Sequence, residues 1–182
     1  MHPTTDFRPE DVIRLLGRHE VRYVLIGGLA AITHGSSLVT VDVDICHATD
    51  RPNLERLVTA LREIHAYLRG VEPGLPFRLD AKTLERGDSF TLTTDLGALD
   101  LLGTPAGTRG FDDLARTADR LELFEHDVLV ASVDDLIRMK RAAGRPKDLR
   151  AVEELAALRD EIDASDGSTA GRNRLPGGPR TD

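Results

Sequence analysis

The stretch YVLIGGLAAITHGSSLVTVDVDI, residues 23–45, decides the fold. It opens on the apolar run Tyr23–Ile26, which reads as a short buried strand stopped by Gly27-Gly28. LAAITH then reads as a short helix stopped by Gly35, and VTVDVDI as a β-branched strand. In a strand, residues i and i+2 share a face, so Asp42 and Asp44 project together. A strand rise of about 3.3 Å per residue puts their carboxylates about 5–7 Å apart. Like charges this close repel. Either the face is open to water, or a cation sits between the acids, and oxygen ligands suit a hard ion such as magnesium. Gly27-Gly28 has two compatible readings. It makes a tight turn, and it offers unhindered backbone N–H groups to a phosphate where a helix begins.

Outward from this stretch the chain alternates between the two periodicities. FRPEDVIRLLGRHE carries Val12, Ile13, Leu15 and Leu16 at helical spacing, with Pro9 suited to the first turn. RPNLERLVTALREIHAYL has an apolar stripe of Leu54, Leu57, Val58, Leu61 and Ile64 and predicts a helix through Leu68. Strands are expected at Phe77–Leu79, Ser89–Thr94 and Ala98–Gly103, with TPAGTRGF as a loop. VLVAS reads as a strand feeding the helix VDDLIRMKRAAG, with Ser132 as its N-cap and Gly144 as its stop. Pro146 opens a last helix, KDLRAVEELAALRDEI. The order predicts an α/β domain over residues 1–164, a mixed sheet flanked by helices. Residues 165–182, rich in Gly, Pro and Ser, read as a flexible tail.

Composition narrows the function. No apolar run approaches the roughly 18 residues of a membrane helix, and the N-terminus lacks a signal-peptide pattern. The single cysteine, Cys46, makes no internal disulfide, so a reducing cytoplasm is the natural setting. A net charge of -7 argues against a basic coat for nucleic acid, but it leaves room for a local basic groove.

Such a groove is present. Arg138, Lys140, Arg141, Arg145, Lys147 and Arg150 face one acid, Asp148, across the Gly144-Arg145-Pro146 break. A solvated helix face is the plain reading of a charge run. The break, however, aims Lys140 and Lys147 at a common space suited to phosphate. A further acid, Asp100, lies in the apolar segment GALDLLG, where an unpaired charge is expensive. If its strand lies beside that of Asp42 and Asp44, three carboxylates converge. Asp95, in TTDLG, is a rival that looks like a turn residue. Ser36, Ser37 and Thr40 either contact phosphate or serve the turn. Cys46 continues the Asp42–Asp44 face, where a small buried neighbour fits better than a metal ligand.

The glycine pair, the Asp-x-Asp about a dozen residues later and the later strand Asp resemble the nucleotidyltransferase superfamily. The look is nearest to the AbiEii/MenT group of bacterial toxin–antitoxin systems, over Tyr23 to Leu158. The resemblance implies a polymerase β-like core and transfer of a nucleoside monophosphate from NTP to a hydroxyl, with release of pyrophosphate. It implies two Mg2+ ions on Asp42 and Asp44, with Asp100 as a third ligand that activates the acceptor. Gly27, Gly28, Ser36, Thr40, Lys140, Lys147 and Asp148 would form the nucleotide site. The acceptor would be the 3′ end of tRNA, and a cognate antitoxin would restrain the enzyme. Two departures stand out: Gly28 where many members carry serine, and Leu38 where relatives often carry arginine. Rival readings are transfer to an aminoglycoside, a lincosamide or a protein hydroxyl, and a catalytically silent binding scaffold.

Overall fold

Alternation along two neighbouring strands sets the plan of the molecule. The computed structural model describes residues 6–71 and 78–170, the side chains of 166–170 excepted. In chain order the elements are α1 (Pro9–Arg18), β1 (Tyr23–Ile26), α2 (Gly27–Thr33), β2 (Asp42–His47) and α3 (Arg51–Glu63). There follow β3 (Tyr67–Leu68), α4 (Ala81–Arg86), β4 (Ser89–Thr94), β5 (Gly97–Leu102) and α5 (Phe111–Ala115). The last four are β6 (Asp119–Leu123), β7 (His126–Val130), α6 (Val133–Ala143) and α7 (Pro146–Ala170).

The strands form one mixed sheet in the order β3-β4-β5-β2-β1-β7-β6. β2 runs antiparallel to β1 and parallel to β5, and β1 runs parallel to β7. One face of the β2–β5 pair carries Val43, Ile45, Leu99 and Leu101, all fully buried. These side chains join Val12, Ile13, Leu15 and Leu16 of α1 and Leu54, Leu57 and Leu61 of α3 in the core. The opposite face carries the acids. A slip of one residue in either strand would bury the carboxylates and expose the core, so the apolar alternation itself fixes their register.

Several boundaries differ from the sequence reading, each for a local reason. β2 starts at Asp42 rather than Val39, because Val39 and Val41 are 91% and 71% exposed and have no strand partner among the described residues. α3 ends at Glu63, and Tyr67–Leu68 leave the expected helix to pair with Thr93 and Leu92 of β4. His65, at φ 49, makes the break. Of the strand expected at 77–79, residue 77 lies outside the described residues. Arg78 and Leu79 are irregular and lead into α4, whose N-cap Asp80 accepts a hydrogen bond from the Thr83 N–H. α5 and β6 had no sequence expectation. α7 continues to Ala170, beyond Ile162 and into the stretch expected as tail; residues 171–182 lie outside the described residues.

Candidate active site

Three backbone facts bring the acids together. Asp42 and Asp44 share one face of β2. Asp100 sits opposite Asp44 in the parallel β2–β5 ladder. Neighbouring strands lie about 4.8 Å apart, so side chains at paired positions touch. One carboxylate oxygen from each of Asp42, Asp44 and Asp100 lies within 4.8 Å of the other two. The rival Asp95 is in the β4–β5 turn and pairs at 2.6 Å with His65, both exposed.

The glycine pair is shaped to this cluster. Gly27 follows Ile26, the residue opposite Asp44 in the β1–β2 ladder. It adopts φ +70, and a Cβ there would lie 2.0 Å from Asp44 Oδ2. Glycine is therefore required on two counts, backbone conformation and close approach. Gly28 leaves room for Thr40: a Cβ at 28 would meet Thr40 Cβ and Oγ1 at 2.8 Å. Thr40 uses that room to donate to Asp42 Oδ1 at 2.9 Å. The absent serine at 28 and the present threonine at 40 are thus one packing solution.

Uncompensated, the cluster is electrostatically costly. Burial, and then the charges of Asp42 and Asp100, push the Asp44 carboxyl up to about 7, although Lys140 and Arg69 pull it down. Burial also raises Asp100, against the pull of Arg69. Arg69 Nη2 donates to Asp100 Oδ1 at 2.8 Å and to the Leu92 carbonyl at 3.0 Å. Sequence reasoning missed this residue. A partly buried acid in an apolar strand calls for a cation, but the short β3–β4 ladder that delivers it lies in a segment that reads as the end of a helix.

The opposite wall comes from the helix break. Gly144 takes the left-handed conformation, φ 64, and closes α6. Asp148, in the first turn of α7, is buried and binds both Lys140 Nζ (3.2 Å) and Arg145 Nε (2.6 Å). Burial alone would raise its carboxyl; the hydrogen bonds from Arg145 and Lys140 outweigh that and hold it below the usual range. Of the six clustered cations, Arg138 is committed to Asp113 and Asp135. Arg141, Lys147 and Arg150 are exposed and form no ion pair among the described residues.

Thr40, Gly28, the three acids, Lys140, Arg145, Lys147 and Asp148 line one cleft of about 420 Å3. Gly27 lies just beyond, in an adjoining niche that shares Asp44, Lys140 and Arg145. Ser36 does not reach the cleft. Its hydroxyl and that of Ser37 donate to Glu154 Oε1 of α7, at 2.8 and 3.1 Å, and so tie the residue 35–41 loop to that helix. Cys46 is buried, its thiol turned to the Gly103 carbonyl, and burial pushes that thiol up to about 12, so on its own it stays neutral at neutral pH. The Nε2 of His34 lies 2.9 Å from the Ala131 carbonyl, a structural contact.

The same architecture occurs in solved structures. A protein from Thermotoga maritima assigned to the nucleotidyltransferases is similar at TM-score 0.50 and 17% identity, covering 90% of this chain and 99% of that one. The lincosamide antibiotic adenylyltransferase LnuA, solved with lincomycin bound, is similar at TM-score 0.54 and 13% identity, over 81% of this chain and 94% of that one. The chain has the nucleotidyltransferase fold. The antibiotic-resistance factor ANT(2'')-Ia adds a further likeness, at TM-score 0.51 and 11% identity, covering 90% of this chain and 93% of that one. No protein-family model matches the chain, and no curated protein matches it in sequence.

The donor set fits a divalent cation. All three side chains offer hard oxygen, their oxygens lie close enough to share an ion, and their mutual repulsion is what such an ion relieves. Among the described residues no helix is long and apolar enough to cross a membrane.

Proposed function

We propose that the chain is a metal-dependent nucleotidyltransferase that moves a nucleoside monophosphate from NTP to an acceptor hydroxyl and releases pyrophosphate. The observation that carries this reading is the meeting of Asp42, Asp44 and Asp100 beside Gly27-Gly28 and Lys140. Asp42, Asp44 and Asp100 would hold magnesium, two ions with NTP bound. These would screen the triphosphate charge and favour the in-line displacement. Lys140, Arg145 and Lys147 bind the phosphates. Gly28 and Thr40 shape the floor of the cleft. Asp148 fixes Lys140 and Arg145 in place, a positioning role. Asp100, which Arg69 orients, accepts the proton of the attacking hydroxyl.

The acceptor we favour is the 3′ end of tRNA, with the chain acting in the cytoplasm as the toxin of a toxin–antitoxin pair and held in check by a cognate antitoxin. The exposed Arg141, Lys147 and Arg150 around the α6–α7 junction, of which Lys147 lines the cleft, support a polyanionic acceptor. A small-molecule acceptor is the second reading, supported by the likeness to LnuA and ANT(2'')-Ia. The test is transfer from each of four α-labelled NTPs to total tRNA, to lincomycin or to an aminoglycoside, by native protein and by Asp42→Ala. Label in tRNA that the variant loses supports the first reading, and label only in the drug supports the second. No transfer to any acceptor, with the variant indistinguishable from native, would remove the enzymatic reading.

A further inference from the structure

A separate cavity, of about 420 Å3, opens where β2 and β5 end. The two strands run parallel, and the chain leaves them for different elements: Ala48–Asp50 lead into α3, and Gly103–Thr104 begin the loop to α5. Such partings at the carboxyl ends of parallel strands leave crevices where small molecules bind. Thr49 and Asp50 line this one beyond β2, Gly103 and Thr104 beyond β5, and Arg22, Arg109 and Asp112 supply its other charges. Ala48 lies four residues past Asp44, about 13 Å at the rise of a strand. No residue lines both this cavity and the catalytic cleft. Hydrogen bonds hold its walls. The buried Asn53 of α3 accepts from the Arg22 N–H at 2.7 Å and donates to the carbonyls of Arg22 at 3.0 Å and Ala48 at 2.9 Å. The Arg22 guanidinium lies over Phe111, 5.1 Å from the ring centre, and donates to Asp50 Oδ2 at 3.1 Å. On the far wall Gly110 adopts φ +87, and a Cβ there would lie 2.8 Å from the Gly103 carbonyl oxygen, so the two ends of the loop meet.

The charges of this cavity are only partly spent on one another. Asp50 is fully engaged, accepting from the Asn53 N–H and from Arg22. Among the described residues Arg22 spends only Nη1 of its guanidinium. The Arg109 side chain is 83% exposed and reaches Asp113 only at 3.6 Å, an acid that Arg138 also holds at 3.1 Å. Asp112 is exposed and forms no ion pair among the described residues. Two guanidinium groups and one carboxylate are thus left to a ligand. We propose that the cavity binds a small zwitterion of the amino-acid kind, its carboxylate taken by Arg22 and Arg109 and its ammonium by Asp112. A guanidinium fork matches a carboxylate, and both pairings are charge-assisted. A simple anion would meet Asp112 and Asp50 in the same space, and a simple cation would meet the two arginines; a molecule carrying both charges meets neither penalty. The volume lies within the range of small-molecule sites. Because the walls are already held, little ordering is needed when the ligand enters.

The test is isothermal titration calorimetry of the full chain, without Mg2+ or NTP. The probes are the protein amino acids one at a time, with propionate, phosphate and propylamine as molecules of a single charge. The native protein is expected to bind at least one amino acid about tenfold or more tightly than any single-charge probe. Arg109→Gln and Asp112→Asn remove one charge each at exposed positions, so folding is not at risk. Each is expected to weaken binding of that amino acid by about tenfold. Propionate or phosphate binding the native protein as tightly as the best amino acid would make this a plain anion site and overturn the proposal. So would propylamine binding as tightly, no binding of any amino acid, or native affinity in both variants. The comparison of probes on native protein stands whatever the variants do, and none of these results bears on transfer at the acidic cluster.

Discussion

Replacing Asp44 with asparagine should make the metal-free protein more stable, because the native carboxylate is held where it is electrostatically unwelcome. Asp44 titrates near 7 in the fold and near 3.8 in an unfolded chain. Between those values the folded protein binds more protons than the unfolded one, so stability falls as pH rises from about 4 to about 7 and the loss is complete above 7. At about 1.36 kcal/mol per pH unit the full effect is on the order of 4 kcal/mol. Asparagine keeps the shape and removes the charge, and among the described residues the Asp44 carboxylate has no hydrogen bond to lose. The expected result in EDTA is that Asp44→Asn and native melt alike at pH 4, separate as pH rises, and stay apart above pH 7. For a chain of this size about 2–4 °C of Tm accompanies each kcal/mol. Adding Mg2+ at pH 8 should raise native stability and leave the variant nearly unmoved, because binding to the folded state alone stabilises it. A variant no more stable than native at pH 8 in EDTA, or a difference independent of pH, would refute the reasoning.

The remaining predictions concern neighbouring groups. Arg69→Ala should lower kcat about 10- to 100-fold with little change in KM for NTP, the range for losing a residue that orients a ligand, and Arg69→Lys should recover part of it; steady-state kinetics separates the two parameters. Gly27→Ala should destabilise the fold by more than 1 kcal/mol, from a left-handed backbone and a clash with Asp44, and should weaken Mg2+ binding; urea midpoints and calorimetry report the two effects. Asp148→Ala should cost about 2–3 kcal/mol by leaving Lys140 and Arg145 without their shared partner. Its NTP affinity should fall as well, which direct titration measures.

The parts of the site that the sequence revealed are those fixed by short-range rules. Asp42 and Asp44 share a face because strand geometry has period two. Asp100 announced itself as a charge in an apolar strand. The Lys140–Asp148 wall followed from a glycine stop and a proline start. The parts it hid depend on partners far along the chain. Ser36, readable either as a phosphate contact or as a turn residue, gives its hydroxyl to Glu154 on the last helix. Arg69 owes its position to a two-residue ladder that overrides a helical pattern. β6, with Asp119, Arg120 and Glu122 exposed, is an edge strand recognisable only once β7 is there to pair with it.

The parallel pairing of β2 with β5 has a consequence for the life of the chain during synthesis. α3, β3, α4 and β4 all intervene between Asp44 and Asp100, and Lys140 comes later still. A polypeptide emerging from the ribosome thus presents two of its acids long before the third, and the Lys140–Asp148 wall last of all. Such long-range pairing forms late, after the local helices. The acidic cluster therefore assembles only after β5 has been made, and Lys140 joins it only once α6 follows.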